Sequence, residues 1–285
     1  MGRLEVKRVR PARTTPTSPP LLLVIIAALC ALTAAIPLVY LVVRVADAGA
    51  AALIETLLRE RVLRLTANSV LLAVAVTASS TVLGTASAWI LVRLRVPFPR
   101  IALLAAALPL AVPSYLASYG LLVLAPTVHG FWPSWLVMTA VCTPYVALPV
   151  AAALRGAPAD LEAVARTLGR NSAQAFWAAT WPRVRPAALA GALLVSLYTL
   201  SDFGAVSMLR YQTLTWGIHS AYGASFDRNQ AAVLALLLVV LALIVVAGER
   251  RIRGRVDTST LRAVARVTPR RWSLAPLGVV VFASP

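Results

Sequence analysis

Six times along this chain the sequence runs for about 20 residues with almost no charge, the length a helix needs to cross the hydrocarbon core of a bilayer. The runs are 21–43, 68–92, 101–125, 134–154, 187–209 and 230–248. No water reaches the middle of a bilayer, so a spanning segment must satisfy its backbone polar groups internally, and apolar runs of this length do so as helices. The expected fold class is all-α, a polytopic membrane helix bundle of six spans. Composition agrees: 60% of the 285 residues are hydrophobic and 13% charged, with a mean hydropathy of +0.81. A soluble domain would carry roughly a quarter charged residues.

The net charge of +17 is read from where it sits. A cytoplasmic N-terminus places segments 1–20, 93–100, 155–186 and 249–273 inside, and these hold 21 of the 27 basic residues. Arg and Lys concentrate in short cytoplasmic loops, so the split predicts that orientation. The charge is then a topology signal, with membrane lipid as the surroundings and no nucleic-acid partner. Cys30 and Cys142 both fall inside apolar runs and read as small core hydrophobes. The first run lacks a convincing cleavage site and reads as an anchor.

Segment 51–65 has Ile54, Leu57, Leu58, Val62 and Leu65 at helical spacing. It fits an amphipathic helix lying on the outer membrane face, and equally a helix packing on neighbouring spans. Pro37, Pro109, Pro113, Pro144 and Pro149 stand inside apolar runs. Breaks at membrane depth are tolerated where neighbours or water re-satisfy the backbone, so these mark either a pathway or simple kinks. Residues 251–273 read as a basic cytoplasmic linker, and 274–285 begin an apolar stretch too short to span. That stretch is expected to be a severed seventh span.

Between two of the runs lies a polar stretch, 155–186, with five arginines. Asp160 suits a helix N-cap, Glu162 complements the dipole of the first turn, and Gly169 can end the helix in the left-handed conformation. Asn171 with Gln174 makes a second start in a box-like arrangement, and this second helix is expected to stop near Pro182. Phe176, Trp177 and Trp181 would be awkwardly exposed on such a projection. Aromatics edged by arginine suit a partner-docking surface; a loop folded back on its own spans is the alternative.

At these residues the stretch resembles the "EAA" coupling loop of permease subunits in binding-protein-dependent ATP-binding cassette importers. Aligned on Gly169, the chain reads Ala163-Val164-Ala165, then Gly169, then Ala179-Thr180-Trp181-Pro182. Ala165, Gly169 and Pro182 fall at the family's intervals. Ala163 stands where the family has glutamate, with Glu162 one position early, and Trp181 replaces leucine. "NSVLLAVAVTASSTVLGTASAWILVRLRVP", from Asn68, resembles the start of the permease core. "LYTLSDFGAVSMLRYQTLTWGIHSAYGASFDRNQAAVLAL" resembles the ferric-iron importer permeases. The resemblance covers about 60–250 and implies a type I permease core, here the N-terminal half of a tandem pair. It implies a multi-pass subunit of a bacterial cytoplasmic (inner) membrane. Its partners would be a cytoplasmic ATPase dimer, a periplasmic or extracellular solute-binding protein and a second permease core. ATP and Mg would bind the ATPase, leaving no cofactor and no catalytic or metal site in this chain.

The residues agree that the chain is no motor: a phosphate-cradling P-loop needs a lysine after its glycines, and the single lysine is Lys7. An integral-membrane enzyme, the competing class, would need clustered acids, histidines or a nucleophile motif. The ten acids are scattered and no His-Glu-x-x-His or Gly-x-Ser-x-Gly occurs. Asp202, in "SDFG", is the one acid inside an apolar run. A carboxylate at mid-depth costs about 2.5–3.5 kcal/mol on insertion scales and should face protein or water. With Ser201 and Gly204 it either lines a translocation path or caps a helix break. His129 and His219 stand alone and form no ligand set for a hard metal. In the outer stretch 210–229, Arg210, Tyr211, Asp227 and Arg228 are candidate contacts to the binding protein, an ordinary solvated loop being the alternative. Thiamine, polyamine, phosphonate and sulfate permeases share the pattern and are the alternative cargo classes.

Overall fold

The structure is a computed structural model that describes residues 21–93, 98–156, 160–223 and 227–253. The basic tail 1–20 and residues 254–285, where most of the linker and the severed span are expected, lie outside them. Twelve α-helices are described: α1 (Leu21–Ala48), α2 (Ala50–Leu58), α3 (Glu60–Arg93), α4 (Pro99–Ala107), α5 (Ser114–Leu124), α6 (Phe131–Gly156), α7 (Asp160–Thr167), α8 (Ser172–Ala175), α9 (Trp181–Ser201), α10 (Gly204–Met208), α11 (Leu214–Gly223) and α12 (Arg228–Arg253). No strand occurs among the described residues. Five helical stretches are long and apolar enough to cross a membrane, or six if a bent pair counts as one span.

The core is α3, α6 and α9. Two glycines let them close on one another: a Cβ on Gly84 of α3 would lie 2.7 Å from Val146 Cβ, and one on Gly191 of α9 would lie 2.8 Å from Tyr145 O and Val146 Cα. Small residues allow such backbone approach, which drives helix association in lipid. Val146 is thus held from both sides, and Val150, Val184 and Val195 are fully buried nearby. α11 and α12 pack together beside this trio, joined to α3 through Val62, Leu65, Leu214 and Leu234. α1 is peripheral, meeting α12 and α2, and exposes its apolar surface almost throughout. In a spanning helix that surface is the one lipid solvates.

Four expectations change. The run 101–125 is no straight span: α4 and a 3-10 turn, Leu108–Ala111, meet α5 at a bend of 92°. Pro113 causes it, because a residue before proline is pushed out of helical geometry, and Val112 has φ −98° and ψ 113°. Pro144 and Pro149, in contrast, sit inside an unbroken α6. The run 187–209 stops as a helix at Ser201, and α9 begins earlier, at Trp181. Segment 51–65 is two helices, because Arg59 (ψ 129°) breaks it. Leu57, with Leu53, packs on Val45 and Val233, and Val62 and Leu65 are core, as the neighbour-packing alternative has it, whereas Ile54 and Leu58 are exposed. The second helix of the polar stretch does not stop at Pro182, as the next section describes.

Candidate functional site

The polar stretch forms an elbow between α6 and α9. Its first arm, α7, ends in a Schellman motif: the Gly169 N–H donates to the Arg166 carbonyl at 3.0 Å and the Arg170 N–H to the Ala165 carbonyl at 3.2 Å. Gly169 adopts φ +83°, the left-handed geometry this motif requires and glycine supplies without strain. The second arm opens with a reciprocal capping box. Asn171 Oδ1 accepts from the Gln174 N–H at 2.8 Å, and Gln174 Oε1 accepts from the Asn171 N–H at 3.3 Å. Both features follow the sequence expectation. Asp160 is the first residue of α7; its side chain lies outside the described ones.

α8 then widens into a π turn, Phe176–Thr180, in which the Trp181 N–H donates to the Phe176 carbonyl five residues back. This admits Pro182 at the first turn of α9, where a missing N–H costs little, so the arm runs on as the span. The elbow is therefore continuous with α9, one of the three core helices.

Residues of α7 divide by direction. Glu162 and Ala165 face the chain; Ala163, Val164, Thr167 and Leu168 face outward, with Val164 54% and Leu168 77% exposed. The aromatics stack edge to face, Phe176 to Trp177 at 5.8 Å and Trp177 to Trp181 at 5.0 Å. Of these Trp177 is exposed at 59%, while Phe176 and Trp181 are half-buried and Trp181 packs on the core. A groove of about 700 Å³ runs between α3 and this ladder, walled by Thr85, Trp89, Ile90, Phe176, Trp177 and Trp181. The Glu162 carboxylate is only 12% exposed and pairs with Arg93 at 3.2 Å. It also accepts from the Thr180 hydroxyl, with Arg166 farther off at 3.9 Å.

A second junction lies where two helix breaks meet. Asp202 Oδ1 accepts from the Ala205 N–H at 2.9 Å, capping α10. Its other oxygen accepts from the Ser114 hydroxyl at the start of α5. The Asp202 carbonyl accepts from Thr215 Oγ1 at 2.8 Å. A Cβ on Gly204 would come within 3.0 Å of Tyr115 Cβ. Ser201 is exposed and donates to the Tyr198 carbonyl at 3.0 Å. The capping role of Asp202 is thus present in the geometry.

At the far end of α3 from the elbow, Arg210 is exposed with φ 54°. Tyr211 departs from expectation: it is 8% exposed, its ring stands edge-on to Phe131 at 5.8 Å, and its hydroxyl donates to the Asn68 carbonyl at 3.4 Å. Burial pushes its pKa upward. The residue is core, because the break after α10 turns it inward. Asp227 caps α12, accepting from the Asn229 and Gln230 N–H groups at 3.1 and 2.9 Å, and Arg228 is exposed. His129 and His219 are both exposed, His219 stacking on Phe203 at 4.6 Å. No group of three metal-ligating side chains occurs among the described residues.

The family described as "Binding-protein-dependent transport system inner membrane component" matches residues 80–249, which contain both junctions and the whole elbow. The chain belongs to this family. As an inner membrane component it is 35% identical over 240 residues to the Fe(3+)-transport system permease protein FbpB 2 of Haemophilus influenzae, covering 84% of this chain and 47% of that one. It is 34% identical over 117 residues to the molybdenum transport system permease protein ModB of Mycobacterium tuberculosis, 40% of this chain and 44% of that one. The chain thus spans less than half the length of either relative. A crystal structure of an amino acid ABC transporter with histidines superposes with a TM-score of 0.55 at 15% identity, covering 68% of this chain and 92% of the other. That likeness shows the permease fold. Sequence reasoning on this inner membrane component missed Arg93, Ser114 and Thr180. Only Ser114, a helix-starting residue after Pro113, carried a local signal.

Proposed function

We propose that this chain is the membrane-spanning permease subunit of an ATP-driven importer, with ferric iron as its cargo. The observation that carries the reading is the elbow: a capped projection continuous with a core helix, whose outward face on α7 is apolar at Val164 and Leu168. Such a face fits a hydrophobic socket on a separate cytoplasmic ATPase dimer, which binds ATP and Mg. ATP-driven closure of that dimer displaces the elbow and rocks the spans between inward- and outward-facing states. The elbow is then cytoplasmic, as is the N-terminus, in a bacterial inner membrane. A solute-binding protein delivers cargo at the opposite face, where Arg210 and Arg228 are exposed and Asp227 caps α12. A second permease core completes the conduit. Ser201, Asp202 and Gly204 belong to its path at the paired helix breaks, since half-helix ends at membrane depth are where transporters place polar groups.

Iron as cargo rests on the FbpB 2 relationship, which extends over 84% of this chain against 40% for ModB. The test is uptake of labelled ferric iron, sulfate and molybdate in a strain lacking the gene. Iron uptake should fall alone; unchanged iron uptake with lost molybdate or sulfate uptake would move the assignment to an oxyanion. For the docking role, a single cysteine placed at Leu168, with Cys30 and Cys142 replaced by serine, should cross-link to the ATPase. Cross-linking from Arg210 instead would invert the topology.

A further inference from the structure

Four of the five ion pairs among the described residues join side chains four residues apart in sequence, and the fifth joins Arg93 to Glu162, 69 residues apart. That pair is largely buried, the side chains being 18% and 12% exposed. Arg93 is the last residue of α3, Glu162 stands in the first turn of α7, and Thr180 closes the π turn that leads into α9. One carboxylate therefore ties the driving arm of the elbow to both α3 and α9. Its inward aim follows from helix geometry. Position 163, where the resembling family carries its glutamate, is exposed, and one residue back is a rotation of about 100°, which turns the carboxylate onto the chain.

We infer that Glu162 is a positioning residue: it is the strut through which displacement of the elbow reaches α3, and it is not a contact to the ATPase. The inference rests on the transport reading above. Its oxygens are occupied by Arg93, Thr180 and Arg166, so the apolar cap is left to meet the partner. α9 is attached to the elbow covalently and packs on α3 within the core, but the last turns of α3 meet the elbow itself through this cluster and through packing along the groove. Cutting the strut should leave docking intact while the last two turns of α3 cease to follow the elbow.

The test uses the assembled permease–ATPase complex in nanodiscs, with and without trapping by ATP and vanadate. Hydrogen exchange is read on peptides covering 160–182 and on the last two turns of α3. In the wild type, trapping should change exchange in both. In Arg93→Met and Glu162→Gln the elbow should still respond and the end of α3 should not, with the complex recovered at wild-type yield. The exchanged pair Arg93→Glu with Glu162→Arg should restore the α3 response. Labelled ferric iron moved per ATP should fall by about ten-fold in the single variants, within the usual range of inter-site coupling. An α3 response in Arg93→Met equal to wild type overturns the strut. Loss of the ATPase from Glu162→Gln, with the elbow still protected, makes it a docking residue instead. Failure of the wild-type chain to hold any ATPase overturns the transport reading and the strut with it.

Discussion

Gly169 in the elbow and Gly191 in the core are the same residue used for opposite purposes. At Gly169 nothing lies within 4 Å of where a Cβ would sit, and the backbone is left-handed at φ +83°. Conformation demands glycine there, and space does not. At Gly191 the backbone is ordinary helix, but a Cβ would meet Tyr145 O and Val146 Cα at 2.8 Å. The core is made by removing side chains until backbones touch; the elbow is made by caps and a turn with open surroundings. A protein built this way separates its failures. Damage to the core should appear as lost folding, and damage to the elbow as lost coupling in a folded chain.

The largest effect is expected from Gly191→Leu. The clashing atoms are backbone and have nowhere to go, so the cost should reach the upper end of overpacking, about 3 kcal/mol. Thermal unfolding in detergent and the yield of monodisperse protein check this. A well-folded Gly191→Leu chain at wild-type yield would mean the helices are not in contact at Val146. Next in size is Gly169→Val, where a β-branched residue at positive φ costs about 2 kcal/mol. Only the elbow should feel it. Melting of the spans should stay near wild type while, on the importer reading proposed above, uptake per ATP collapses, and Gly169→Asn, which tolerates left-handed geometry, should be milder. If Gly169→Val unfolds the spans as Gly191→Leu does, the separation of roles is wrong.

Asp202→Ala tests whether the junction of Asp202 with Ser114 behaves like core or like elbow. It removes a cap on α10 and the acceptor for Ser114, worth about 1.5 kcal/mol by analogy with other caps. Stability should fall by that amount and Asp202→Asn should recover part of it. A destabilised variant that transports normally would leave Asp202 a cap and take it out of the proposed path, and a fully stable one that transports poorly would leave it in the path without the cap.

What could be read from the sequence divides along the same line. Spans were legible because a bilayer fixes their length, and the elbow's two caps were legible because each is written within about five residues. Gly169, Asn171 and Gln174 each did what local rules predict. The Pro113 bend was not, since Pro144 and Pro149 occupy similar apolar sequence and leave α6 unbroken. Whether a proline bends a span depends on which neighbours re-satisfy its freed carbonyls. The clusters that define both junctions were also out of reach. Ser114 and Asp202 are 88 residues apart, Arg93 and Glu162 69, and no single sequence states such a pairing. Tyr211 was misplaced for the same reason, its partners being Phe131 and Asn68.

Smaller effects sharpen the contrast within the elbow and beyond it. Asn171→Ala removes one half of the capping box and should cost about 1 kcal/mol. Increased hydrogen exchange confined to 171–176 would show it, with Asn171→Ser restoring protection. The smallest effect is expected at Arg64, whose pair with Glu60 spans one helical turn at 2.6 Å with both side chains exposed, 67% and 85%. Exposed pairs of this spacing contribute about 0.2–0.5 kcal/mol and are screened by salt. Arg64→Ala should therefore leave unfolding temperature and uptake within error, at low and high salt alike. The same substitution at Arg93, an arginine on the same helix, should uncouple transport. A comparable loss at Arg64 would mean that positive charge on α3 matters in general, and that the buried pair with Glu162 holds no special place.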